Sequence, residues 1–239
     1  MTHLLDIVLD VHGGLGRWQQ ARTVCARGSI GGQLWTVHGQ TGILNAADMT
    51  VDVQRQRVVF AEFTGPELLG VFTPDRVAVE TRDGEVVAER TSPRAAFAGQ
   101  GPDTPWDRLH ALYFAGYAMW NYLTAPYLLT WPGVAVEELD PWDGGDEGLR
   151  RLRATFPGAM ATHAAEQTFS YDDAGLLRRH DYAAEVLGGV PAAHFCEKHM
   201  TESGLVFPTH RYVVPIDANG EVLPEPVLIT IDLAEISVA

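Results

Sequence analysis

The chain has 239 residues, 46% apolar and 20% charged, with 24 Gly and 14 Pro. That is globular composition, which excludes wholesale disorder and collagen-like repeats. Its 17 basic and 31 acidic residues give a net charge of −14, with Lys198 the sole lysine. The basic face that a phosphate backbone or an anionic lipid surface requires is missing, so no nucleic-acid partner is expected. Cys25 and Cys196 are too few for a disulfide framework. The start, Met1 to Asp6, lacks a cationic segment, and Asp6 and Asp10 interrupt its apolar run. It does not read as a secretory signal. No run of ~18 apolar residues occurs, so no membrane insertion is expected. These features predict a cytoplasmic protein with reduced thiols.

In chain order, Leu4, Leu5, Val8 and Leu9 stand at helical spacing, and His12-Gly13-Gly14 is a stop signal. Leu15 to Ala21 predicts a second, short helix. Residues 23–38, 41–53, 56–63, 75–81 and 84–91 are rich in Val, Ile, Thr and aromatics and predict strands. Arg82-Asp83-Gly84-Glu85 predicts a two-residue hairpin turn. The Pro-rich stretch 92–105 is a loop leading into the strongest helical pattern. There Thr104 is the expected cap, Pro105 the first helical residue and Asp107 the capping-box acid. Leu109, Leu112, Tyr113, Gly116, Tyr117, Trp120 and Leu123 follow at spacings of three and four. Other apolar residues fill the remaining sides, so this helix should be buried. Pro126 ends it.

Strands resume over 133–140, 148–156, 163–171, 176–186, 192–200, 205–216 and 226–238. Their short turns include Asp143-Gly144-Gly145, Asp172 to Gly175, Thr201 to Gly204 and Asp217 to Gly220. Consecutive strands with such turns form an antiparallel meander. A sheet of roughly ten to twelve strands must curl to bury one face. The predicted fold is α+β: one domain, 1–239, with a large curved antiparallel sheet wrapped around the central helix.

His12-Gly13-Gly14-Leu15-Gly16-Arg17-Trp18, Gly204-Leu205-Val206-Phe207-Pro208-Thr209 and the closing strand Val227 to Asp232 carry a resemblance. In this element order the chain resembles the half-barrel of bacterial lipoprotein carriers and lipoprotein-sorting proteins. That resemblance implies an N-terminal helix followed by a sheet curled around an apolar cavity. The block from Tyr113 to Tyr122, with Arg179-His180-Asp181-Tyr182, is similar to a group of uncharacterised conserved bacterial proteins.

Familiar catalytic signatures are absent: no G-x-S-x-G elbow, no Walker lysine loop and no H-E-x-x-H. His12 to Gly16 follows a helix rather than a strand, so it is no dinucleotide fingerprint, and no cofactor is expected. Reading Asp172 to Gly175 as a three-residue hairpin loop places Thr168 opposite His180, Glu166 opposite Tyr182 and Ser170 opposite Arg178. Glu166 then neighbours His180 diagonally. His180 oriented by Glu166, with Tyr182 as a hydrogen-bond donor, would make an acid–base set. Arg178 could hold an anionic ligand group.

The same reading of Thr201 to Gly204 puts His194, Cys196, His210 and Tyr212 on one face. Two imidazoles and a thiol could bind zinc, but no ligand spacing supports it, and no metal is expected. Tyr113, Tyr117, Trp120 and Tyr122 offer apolar area with polar tips, either as core or as the wall of a ligand cavity.

The residues thus predict binding of a small hydrophobic or amphipathic molecule in the concavity. Tyr113, Tyr117, Trp120, Tyr122, Arg178 and His194 are the binding candidates. The alternative is a cofactor-independent cyclase, isomerase or hydrolase using His180, Glu166 and Tyr182. A third possibility is a partner protein docking through an open sheet edge.

Overall fold

The computed structural model describes residues 3–141 and 148–239. The helices are α1 (His3–Val11), α2 (Leu15–Trp18), α3 (Gln33–Val37) and α4 (Arg108–Thr124). The strands are β1 (Thr23–Gly31), β2 (Ala47–Asp52), β3 (Arg57–Ala61), β4 (Leu68–Thr73), β5 (Arg76–Thr81), β6 (Val86–Thr91), β7 (Ala135–Leu139), β8 (Arg150–Thr155), β9 (Glu166–Tyr171), β10 (Leu177–Ala184), β11 (Val190–Glu202), β12 (Leu205–Pro215) and β13 (Ile229–Val238).

Among the described residues, all thirteen strands belong to one sheet, ordered β6-β5-β4-β3-β2-β1-β13-β12-β11-β10-β9-β8-β7. Every neighbouring pair is antiparallel. The sequence reading lacked β4. It also ran the first strand through His38, whereas β1 ends at Gly31 and α3 begins after Gly32. The hairpin after β5 is longer by one residue than expected, with the Thr81 amide bonded to the Glu85 carbonyl at 2.8 Å. The expected turn at Asp143-Gly144-Gly145 lies outside the described residues.

The topology explains why a helix fills the concavity. The chain builds one edge of the sheet at β6, crosses back as α4, and begins the second meander at the opposite edge, β7. Pairing of β1 with β13 closes the two halves into a continuous sheet. In α4 every residue from Ala111 to Thr124 is buried. Its polar members find partners: Asn121 Nδ2 donates to the Tyr117 and Ala161 carbonyls, and the Thr124 hydroxyl donates to the Trp120 carbonyl. Helix α1 buries the expected Leu4, Leu5, Val8 and Leu9.

The cap of α4 is Asp107 rather than Thr104. Its carboxylate accepts from the Leu109 and His110 amides at 3.0 and 2.9 Å and from Arg90 of β6 at 2.6 Å. A carboxylate at a helix N-terminus answers two free amides and the helix dipole at once. Burial opposes its ionisation, but Arg90 and the His110 amide outweigh it and bring its pKa down to about 2.

Two hairpins set the register of the second half. Between β9 and β10 the loop is as expected, with the Asp172 amide bonded to the Leu176 carbonyl and Gly175 at φ +80°. Beyond it Arg178 is extra. Leu177 pairs with Tyr171, but Arg179 pairs with Ser170 and His180 with Phe169. This bulge exchanges the faces that a regular ladder would give. Between β11 and β12 the turn is two residues, Ser203 and Gly204, both at positive φ. Glu202 therefore pairs with Leu205, His194 with Val213, Cys196 with Arg211 and Glu197 with His210.

Candidate functional site

The register places His180 and Tyr182 of β10, His194 and Cys196 of β11 and Arg211 of β12 in the concavity, all buried. Tyr117 and Tyr122 of α4 meet them from the helix side. His163, just before β9, joins the two groups: its Nδ1 lies 3.1 Å from the Tyr117 hydroxyl and its Nε2 2.7 Å from that of Tyr122. The Tyr122 hydroxyl also lies 2.8 Å from that of Tyr182. The His163 ring stacks on Tyr182 at 3.9 Å. Neutral imidazole offers one donor and one acceptor, and hydroxyls serve either way, so this chain is satisfiable without charge.

His180 bonds Gln167, not Glu166. Its Nε2 donates to Gln167 Oε1 at 2.7 Å, while the Gln167 amide donates to the Ala164 carbonyl. Glu166 lies exposed on the other face, 3.9 Å from Arg153. The bulge at Arg178 is the reason: a one-residue shift exchanges Glu166 for Gln167 as the inward neighbour. Arg178 itself is ion-paired with Asp172 at 2.6 Å and does not enter the concavity.

His210 also faces outward, bonded to Asp232 at 2.7 Å, so His194, Cys196 and His210 do not converge. Arg211 occupies the place expected for it. Its guanidinium donates to Cys196 Sγ at 3.1 Å and to the Tyr122 carbonyl at 2.9 Å, and lies over the Tyr122 ring. Trp120 turns away from this group. It donates to the Asp52 and Arg55 carbonyls and pins α4 to the β2–β3 turn. Tyr113 packs on Phe72, Phe97 and the Tyr117 ring, one turn before Tyr117 on α4, and makes no ring contact with His163, His180 or His194 among the described residues.

Burial controls the electrostatics. It lowers the His163 pKa to about 3, with the Arg94 charge adding to the effect. It lowers His180 and His194 well below the ordinary value, helped by Arg211 and neighbouring imidazoles. It raises the Tyr117, Tyr122 and Tyr182 hydroxyls and the Cys196 thiol. The group is therefore neutral imidazoles and neutral phenols around one guanidinium.

Two cavities of similar size flank it. One, about 350 Å³, is lined by Asp75, Ser92, Arg94, Tyr113 and Glu185 among others. Its cation is already engaged: Arg94 bonds Glu185 at 2.5 Å and the Thr162 carbonyl at 3.0 Å. The other, about 340 Å³, opens between α3, the loop 100–103 and the ends of β10 to β13. Leu34, Val37, Val186, Val190, Val213 and Leu228 contribute to its walls, and Tyr182 and Phe114 line it. Val37 and Val190, at its edge, are exposed. Through Tyr182 this apolar pocket touches the buried phenol–imidazole chain.

Five of the expected residues, Tyr117, Tyr122, His180, Tyr182 and His194, are thus brought together. The sequence reading missed His163, Gln167 and Arg211, and all the apolar wall except Tyr182. Arg211 had a detectable signal: it shares strand parity with the inward Leu205, Phe207 and Val213.

No protein-family model matches the chain, and no curated protein matches it in sequence. Solved structures do match in fold. A LolA superfamily protein from Nitrosomonas europaea aligns with TM-score 0.52 at 10% identity, covering 98% of this chain and 90% of that one. A DUF1329 family protein from Desulfovibrio piger aligns with TM-score 0.54 at 11% identity, covering 98% and 91%. A candidate outer membrane lipoprotein-sorting protein domain from Vibrio parahaemolyticus gives TM-score 0.50 at 6% identity, covering 98% and 91%. The chain has the lipoprotein-carrier-like half-barrel architecture that its element order resembled.

Proposed function

We propose that the protein holds a small hydrophobic or amphipathic molecule in the pocket between α3 and the ends of β10 to β13. The observation that carries this reading is the pocket itself, about 340 Å³ with aliphatic walls and exposed valines at its edge. Its size falls at the lower end of ligand cavities, ~300–1,000 Å³. The likeness to a candidate lipoprotein-sorting domain agrees with an apolar cargo.

The acid–base alternative finds less support. A general acid or base works best with a pKa near the operating pH. Here the imidazoles are pushed down and the phenols up, away from neutrality on both sides. The carboxylate that was to orient His180 is on the opposite face.

A titration with prodan, a neutral fluorophore that brightens in apolar surroundings, tests the proposal. Wild type should bind it saturably. Ala192→Phe, which adds a ring to the lining, should weaken binding at least tenfold while keeping the wild-type circular dichroism. Equal affinity in both proteins would place the probe elsewhere and defeat the proposal.

A further inference from the structure

One residue lining the apolar pocket is polar and incompletely bonded. His38 is 1% exposed. Its ring stacks on Trp106 at 4.0 Å, and its Nδ1 lies 2.7 Å from the Thr104 carbonyl oxygen. A carbonyl only accepts, so Nδ1 carries the proton and donates. In neutral imidazole the remaining nitrogen, Nε2, is then an acceptor. Among the described residues, His38 Nε2 has no hydrogen-bond partner. Backbone contacts tie the two stacked residues together: the Trp106 amide donates to the His38 carbonyl at 2.9 Å, and Gln40 donates to the Trp106 carbonyl.

The charge around the pocket is one-sided. Its lining includes Asp103 and contains neither arginine nor lysine. An anionic head would enter a low-dielectric site with no cation to meet it, which is costly. A head with an O–H or N–H would instead satisfy His38.

We infer that the pocket selects an apolar molecule carrying an uncharged hydroxyl or similar hydrogen-bond donor, which donates to His38 Nε2, and that it discriminates against carboxylates of the same chain length. This rests on the pocket being the ligand site. It names a specificity residue that sequence reasoning did not single out.

The test uses three probes of one chain length, 1-decanol, decyl methyl ether and decanoate, each displacing prodan at pH 8. The ether accepts but cannot donate, and decanoate is anionic. Wild type should bind decanol about three- to tenfold more tightly than the ether, the worth of one hydrogen bond, and decanoate least tightly of the three. In His38→Asn the amide nitrogen can keep the Thr104 bond while the outer acceptor is lost. The ratio of decanol to ether affinity should fall to about one there, whatever the change in prodan affinity. His38→Gln, whose longer side chain restores an outer acceptor, should recover most of the decanol advantage. Equal binding of decanol and ether by wild type, or tighter binding of decanoate than decanol, overturns the inference and leaves the pocket as a ligand site. Failure of prodan and all three probes to bind overturns the pocket reading itself, and this inference with it.

Discussion

His163 shows how a buried polar residue can be both structural and exposed to pH. It ties Tyr117 to Tyr122 from a position with 1% exposure. Its native pKa is about 3, set first by burial and then by Arg94. In the unfolded chain histidine titrates near ~6.5. Below that pH the unfolded state takes up a proton that the native state refuses, so stability falls as pH falls. The slope is ~1.4 kcal/mol per pH unit for each such histidine, and His180 and His194 add to it in the same direction. His163→Phe should cost ~1–3 kcal/mol at pH 7, because Tyr117 loses its partner. It should also flatten the loss of stability between pH 6 and 4 by ~1.4 kcal/mol per unit. Urea unfolding at stepped pH measures both, and an unchanged acid slope would mean that His163 is protonated in the folded state.

These residues were only partly legible in the sequence. The five that assemble are aromatic or imidazole side chains on strongly patterned elements. Gln167 was hidden by Arg178, since nothing in Leu177-Arg178-Arg179 announces a bulge. The zinc-like trio came from reading Ser203 as part of a longer loop. Serine does not advertise the positive φ that a two-residue turn needs, as Asn, Asp or Gly would.

At the scale of elements, α4 is held by close approach rather than by its own propensity. Gly116 sits mid-helix, where glycine costs ~1 kcal/mol relative to alanine. The reason is Phe72 of β4: a Cβ at Gly116 would lie 2.3 Å from its Cγ. Gly116→Ala should therefore lower stability by ~1–3 kcal/mol through overpacking, despite the gain in helix propensity. A rise in melting temperature would show that α4 does not pack on β4. Trp120 belongs to the same scaffold, because its indole bonds the β2–β3 turn instead of facing the pocket. Apart from α3 and β4, the helices and strands were legible because hydrophobic period survives in buried elements. The start of α4 was misplaced by three residues because Thr104 and Asp107 both suit a cap. The three-dimensional proximity of Arg90 favours Asp107.

At the scale of the molecule, the described residues present two sheet edges, β6 and β7, and the apolar pocket. The edge strand β6 carries Glu89 and Arg90, and β7 carries Glu137 and Glu138, ion-paired with Arg153 and Arg150. Charged edges resist strand addition, and the net charge of −14 adds repulsion between copies. That weighs against docking through an edge. The location of the pocket was not legible in the sequence. It is built from α3, a Pro-containing loop and strand ends, none of which shares a local pattern. Whether this pocket holds an apolar molecule is read directly by native mass spectrometry of the purified chain. A retained ligand should appear as an added mass lost on acid denaturation and absent from Ala192→Phe, or emptied wild type should take up 1-decanol. A chain that is ligand-free as purified and takes up no decanol would contradict it.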